Sequence, residues 1–236
     1  MPKTKTKSAE QGERRLYGRR MGHRLSPRRR KLVETLLPEL RIDLGAGPPA
    51  DLAKLFSEPV EQVWLEIGFG AGEHFAWQAA RNPSVGLLGS EAFINGVATL
   101  LASVESQQLG NVRIHDGDAR DLLDGLPDAG LDRIFVLFPD PWPKKRHWRR
   151  RLFSPAIVAQ FARVLRPGGE LRTATDIGDY ARAMLLAMQQ EPAFEWQARR
   201  ASDWRNRPSD WPQTRYEQKA LREGRTPYFL TFGRLR

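Results

Sequence analysis

VWLEIGFGAGEHFAWQAARNP, residues 63 to 83, decides the fold. An apolar, strand-like run ends in three glycines at alternate positions, Gly68, Gly70 and Gly72, and a stretch with helical period follows. Glycine at such a place lets the backbone turn sharply and approach a ligand that a Cβ would exclude. The same alternation recurs downstream. VGLLGSE (85–91), VRIHDGD (112–118), LDRIFVLFPD (131–140) and ELRTATD (170–176) read as strands. Between them, GVATLLASVESQQLG (96–110), ARDLLDGL (119–126), SPAIVAQFARVLRPGG (154–169) and IGDYARAMLLAMQQ (177–190) read as helices. Ser154 and Pro155 start the third of these, and Gly168 lies past its end. FEWQAR (194–199) and PYFLTFGRL (227–235) read as strands that close the sheet in antiparallel fashion, joined by a Trp/Pro/Arg-rich segment at 202–213. Upstream, SPRRRKLVETLLPEL (26–40) predicts a helix of about ten residues that starts at Ser26 and Pro27 and stops before Pro38. The expectation is an α/β fold: a mostly parallel seven-stranded sheet with helices on both faces, binding its ligand beyond the carboxyl ends of the strands.

Length and composition fit one domain. The chain has 236 residues, 40% of them hydrophobic, with seven tryptophans, and no apolar run approaches the roughly 20 residues of a membrane helix. Its start, MPKTKTKSAEQGERR, lacks the apolar core of a secretory signal, which points to a cytoplasmic protein without a membrane role. With no cysteine there is neither a disulfide nor a thiolate metal site, and His23, His74, His115 and His147 show no ligand spacing, so no metal is expected. The net charge of +10 is unevenly placed. Residues 1–31 hold twelve Lys/Arg against Glu10 and Glu13, and Lys144–Arg151 holds six with no acid. Clustered cations of this kind suit a polyanion, whose condensed counterions they release. Residues 1–27 are expected to form a basic, disordered arm and 28–236 a single domain, with a basic loop at 143–151 and a C-terminal segment at 202–224 facing substrate.

A dinucleotide fold would need a small third residue in G-x-G-x-x-G/A, and Glu73 stands there. Acids near the turn suit a different cofactor. S-adenosylmethionine carries an ammonium, a sulfonium and a ribose-adenine, with no pyrophosphate to seat on a helix N-terminus. Glu66 precedes the turn, Glu91 ends the second strand where ribose hydroxyls are expected, and Asp118 follows the third near the adenine amine. Plainer readings stay open: Asp118 as a helix cap with Asp121 in the first turn, and Glu91 as a surface acid.

Together with FPDPW, these segments resemble the bacterial tRNA (guanine-N7)-methyltransferase family. The resemblance rests on LEIGFGAG (65–72), LGSE (88–91), DGDA (116–119), FPDPWPKKRHWRRR (138–151), ATD (174–176) and TRYE (214–217), with YGRRMGHRLSPRRR similar to the family's N-terminal region. It covers most of residues 17–236. Pro143, where many relatives carry His, and Trp148, which interrupts the basic run, depart from the pattern. The resemblance implies a Rossmann-like class I S-adenosylmethionine-dependent methyltransferase that modifies N7 of guanine-46 in the tRNA variable loop, needing no protein partner. It implies cofactor contacts from Glu66, Gly68, Gly70, Glu91, Asp118, Ala119 and Asp140, with Asp140 also catalytic. It implies substrate contacts from Lys144, Asp176, Thr214, Arg215, Tyr216 and Glu217. Lys145, Arg146, Arg149, Arg150 and Arg151 are read as phosphate contacts.

Pro139 and Pro141 constrain Asp140 to an extended, aimed conformation. Trp142 or His147 can stack on an extruded base, and Trp142 reads equally as core packing. Asp176 reads equally as a helix cap, and Thr214 with Glu217 as a capping box closed by Gly224. Three other classes remain: an amino-group methyltransferase, a small-molecule methyltransferase, and a non-catalytic RNA-binding protein.

Overall fold

Residues 16–45, 47 and 50–236 are described by the computed structural model. In chain order they form α1 (Pro27–Thr35), α2 (Leu37–Leu40), β1 (Gln62–Ile67), α3 (Glu73–Arg81), β2 (Val85–Ser90), α4 (Ile94–Gln107) and β3 (Val112–His115). Then follow α5 (Ala119–Gly125), β4 (Leu131–Leu137), a short 3-10 helix (Lys145–Arg150), α6 (Pro155–Val164), β5 (Leu165–Thr175) and α7 (Gly178–Gln189). The chain ends with β6 (Phe194–Trp196), α8 (Ser202–Arg205), α9 (Arg215–Arg222) and β7 (Tyr228–Arg234).

The seven strands lie in the order β3-β2-β1-β4-β5-β7-β6. The first five are parallel, and β7 pairs antiparallel with both β5 and β6, as the sequence predicts. Burial on both faces explains why β1 and β2 are apolar without alternation. Leu65 and Ile67 pack on one side with Val136, Phe161, Tyr180 and Met184. Trp64 packs on the other with Phe75, Leu100, Phe135 and Phe229. Among the described residues no helix is long and apolar enough to cross a membrane.

The N-terminal helix ends at Thr35, before Pro38 as expected, and a separate short turn of helix, α2, follows with Pro38 in its first turn, where a missing N–H costs nothing. One boundary differs from expectation: α6 ends at Val164 and β5 begins at Leu165, ahead of Gly168. Leu165 pairs with Leu131 in the core, and the intervening residues bulge out before Glu170 pairs with Arg133.

Of the arm expected over 1–27, residues 1–15 lie outside the described residues. Residues 16–26 run against the start of α4. The Ile94 N–H donates to the Arg20 carbonyl at 3.0 Å, the Gly22 N–H to Asn95 Oδ1 at 2.8 Å, and Asn95 Nδ2 to the His23 carbonyl at 2.7 Å.

Candidate active site

Strand order reverses about β1, which has β2 on one side and β4 on the other. Beyond the carboxyl ends of these strands lies a cavity of about 570 Å³, of a size suited to a small-molecule cofactor. Of the residues expected there, Gly68, Gly70, Glu91, Asp118, Ala119, Asp140, Arg215 and Tyr216 line it, together with Arg149, Arg150 and Arg151. Gly68 has φ +71°, and a Cβ there would meet nothing within 4 Å. Its requirement for glycine is therefore conformational, and its face is open to a ligand.

Glu91 ties the glycine turn to the end of β2. Its two oxygens accept the Gly70 and Phe93 N–H groups, each at 2.8 Å. Burial raises its pKa above the ordinary 4.5, the amides of Phe93, Gly70 and Ala92 pull it down, and Asp140 pushes it up. Asp118 both lines the cavity and caps α5, accepting the Arg120 N–H at 3.0 Å, and it forms an ion pair with the Arg120 side chain. The cap reading and the cavity position hold together.

Glu66 does not line the cavity as expected of a cofactor contact. It is 4% exposed and its carboxylate accepts from His74 Nδ1 at 2.7 Å. The glycine turn folds α3 back over β1 and brings His74 to it.

The FPDPW loop is held in an uncommon backbone state. Phe138 has φ +51° and Trp142 φ +43°, conformations costly for bulky residues. They flank Pro139-Asp140-Pro141, so Asp140 sits in a frame bent at both ends. Asp140 is exposed at the cavity and has no hydrogen-bond or ion-pair partner among the described residues.

The basic loop divides by exposure. Lys144, Lys145, Arg146 and Arg149 are exposed. Arg151 is not available to phosphates, contrary to expectation. It is 9% exposed, its Nε donates to the Pro141 carbonyl at 2.8 Å, its Nη2 pairs with Asp179 at 2.7 Å, and its guanidinium lies between Trp148 and Tyr180. It braces the Asp140 loop, and Trp148, the break in the basic run, covers it. Arg150 lies over Tyr17 and Trp142, at 4.6 and 4.9 Å from the ring centroids. Tyr17 thus belongs to the cavity wall. Trp142 packs edge-on to Tyr17 and His147 at the rim and is not in the core.

Asp176 does not cap α7, whose first residue follows Ile177 with no side-chain cap; it pairs with Arg225 at 2.6 Å. Thr214 caps α9 by accepting the Glu217 N–H at 3.3 Å. Glu217 is buried and pairs with Arg207 at 3.3 Å; burial raises its carboxyl, against the pull of Arg207 and Gln213. Neither Thr214 nor Glu217 lines the cavity, and neither does Asp176 or Lys144. Tyr216 does, with its ring 6.4 Å from that of Phe138 and nearly parallel to it. Sequence reasoning missed Tyr17, Arg207 and Arg225, whose partners come from packing, and Arg120, which pairs with Asp118 two residues before it.

The sequence model of a family described as "Putative methyltransferase" matches residues 60–230. Curated proteins named tRNA (guanine-N(7)-)-methyltransferase are similar along nearly the whole chain. That of Rhodospirillum rubrum is 49% identical over 99% of this chain and 91% of its own length. That of Ruegeria pomeroyi is 50% identical over 94% and 95%, and that of Rhizobium meliloti 47% over 98% and 99%. This chain belongs to the tRNA (guanine-N7)-methyltransferase family. Its fold is that of class I S-adenosylmethionine-dependent methyltransferases. The 16S rRNA methyltransferase KamB superposes with a TM-score of 0.52 at 18% identity, covering 75% of this chain and 89% of that one. The [4+2]-cyclase SpnF matches equally well, with a TM-score of 0.52 at 15% identity over 78% of each chain. Architecture alone therefore does not name the reaction in this family's fold.

Proposed function

We propose that this protein transfers a methyl group from S-adenosylmethionine to N7 of a guanine in the tRNA variable loop, giving 7-methylguanosine. What supports this most is Asp140: a carboxylate without a hydrogen-bond or ion-pair partner among the described residues, framed by two strained aromatics, between a glycine-walled cavity and a run of exposed cations.

The residues fit the cofactor. Gly68 leaves room for close approach, Glu91 is anchored by two amides with lone pairs left for hydroxyl donors, and Asp118 lines the wall beyond β3. When bound, S-adenosylmethionine supplies an electrophilic methyl group on a sulfonium. Guanine N7 is an acceptor without a proton at neutral pH, so no general base is required of the chain. The chain must align the base and offset the positive charge that the purine gains. Asp140 does the second, and by accepting from the N1 and N2 donors of guanine it would select against adenine. The exposed Lys144, Lys145, Arg146 and Arg149 hold the phosphates on either side of the base, which swings out of its stack to enter.

Two outcomes follow. A raised carboxyl at Glu91 contributes stability below pH 4.5 that is lost as pH rises through its raised value. Acceptance of ribose hydroxyls by the ionised form runs the other way. Cofactor affinity by calorimetry is therefore expected to rise with pH across that window, and Glu91→Gln to flatten the rise. Replacing Lys144, Lys145, Arg146 and Arg149 together by Gln is expected to weaken tRNA binding and reduce the slope of log K against log salt by roughly 0.7–0.9 for each phosphate no longer neutralised. Filter binding over a salt series reads this, and an unchanged slope counts against the loop.

The reading itself is tested with methyl-labelled cofactor. Label is expected to pass to unmodified tRNA and to fall steeply with salt; transfer to small molecules with indifference to tRNA contradicts it.

A further inference from the structure

A polar chain, buried for most of its length, leads from β1 to α9 without touching the cavity. Glu66 accepts from His74 Nδ1 at 2.7 Å, and His74 Nε2 faces Gln78 Nε2 at 3.1 Å. The Gln78 amide nitrogen also donates to the Asp210 carbonyl at 2.9 Å, while Gln78 Oε1 accepts from Asn82 at 3.0 Å. With both amide protons of Gln78 directed outward, His74 Nε2 is the acceptor and Nδ1–H the donor to Glu66. Glu66, His74 and Gln78 are each under 5% exposed, so this arrangement has no water to replace it.

Asp210 is held a second time by its carboxylate, which pairs with Arg172 at 2.6 Å. The next residue, Trp211, is buried against His74, Phe135 and Phe229, and its carbonyl accepts from Arg207 at 2.6 Å. Arg207 in turn pairs with Glu217 in the first turn of α9. One residue before Glu217, Tyr216 lies over the glycine turn, where a Cβ on Gly70 would be 3.3 Å from its ring. Its ring also stacks on Phe138, two residues before Asp140.

We propose that His74, Gln78 and Arg207 are positioning residues for the methyl-transfer reaction, setting Arg215 and Tyr216 against the glycine turn and the Asp140 loop. Glu66 acts here through His74, and Glu217 through Arg207. This rests on the tRNA methyltransferase reading above. The chain holds α9 at a fixed distance from both β1 and β4, so the wall that receives the base is built from the cofactor strand itself. A misplacement of such a wall costs rate at saturating substrate even where nothing that binds cofactor is changed.

The test compares Gln78→Leu, Arg207→Ala and Arg207→Lys with the unaltered full chain, measuring cofactor Kd and stoichiometry by calorimetry, Tm, and kcat and KM on unmodified tRNA. The expected result for Gln78→Leu and Arg207→Ala is a kcat per cofactor-binding site lower by roughly tenfold to a hundredfold, with cofactor Kd within about twofold, and partial recovery in Arg207→Lys. A purely structural chain would lower Tm and leave kcat per cofactor-binding site within about twofold of the unaltered protein, which overturns the proposal. Gln78→Leu, which strands buried polar groups, can fail to fold; Arg207 is at the surface edge, and Arg207→Ala then decides. If the unaltered protein binds cofactor yet does not methylate tRNA, the functional reading has failed and the positioning role falls with it.

Discussion

Asp140→Asn is expected to lower kcat for methyl transfer by roughly 10²- to 10³-fold, a loss of about 2.7–4 kcal/mol of transition-state stabilisation. The substitution keeps the shape and removes the charge. One acceptor oxygen becomes an NH2 donor, which in the proposed pose would face the N1 and N2 donors of guanine instead of accepting from them. The loop itself should survive, because Phe138 is tied to β5 through its N–H to the Ala174 carbonyl at 2.7 Å and Pro141 is held by Arg151. Cofactor affinity is expected to change much less than kcat, since Glu91, Gly68 and Asp118 line the cavity from other strands. Single-turnover rates at saturating tRNA, with cofactor Kd measured alongside, separate the two effects. A rate constant within a few-fold of the unaltered enzyme removes Asp140 from the chemistry.

Gly96→Ala is expected to raise the cofactor Kd by roughly tenfold to a hundredfold, the equivalent of one to three kcal/mol of overpacking. Gly96 lies in the first turn of α4, and a Cβ there would sit 2.2 Å from the Gly70 carbonyl oxygen and 3.0 Å from its carbon. Both are backbone atoms, so no side chain can rotate out of the way. Either α4 backs off or the glycine turn shifts, and the turn is where Glu91 accepts the Gly70 N–H. Calorimetry reads the affinity, and a cooperative thermal transition shows that the core is kept. Unchanged affinity would mean that the turn does not hold the cofactor.

The alternation of strands and helices was legible because parallel strands covered on both faces read as unbroken apolar runs, and each helix between them keeps its own period. Gly168 misled because it looks like a helix stop, yet it lies inside β5, whose start is fixed by burial of Leu165. That Gly68, Glu91, Asp118 and Asp140 line the cavity was legible because ligands are expected beyond the carboxyl ends of parallel strands, and these residues follow such ends directly. Glu66 was read as a cofactor acid from the same logic, but its side chain lies under α3, where it accepts from His74. Only the fold-back of α3 reveals His74 as its partner. Arg151 shows the limit of charge counting. Within a basic run nothing marks the one residue at which the 3-10 helix turns inward onto Tyr180, whose hydroxyl is pushed up to about 12 mainly by burial. Tyr17 reaches the cavity from the far N-terminal side, a contact that no local pattern encodes.

The most direct measurement maps the modified atom. Unmodified tRNA incubated with this protein and S-adenosylmethionine, then treated with borohydride and aniline, breaks only where a guanine carries an N7 alkyl group. Scission is expected at a single variable-loop guanine and absent without cofactor. Methyl label incorporated into tRNA with no such break would place the group on another atom and contradict it.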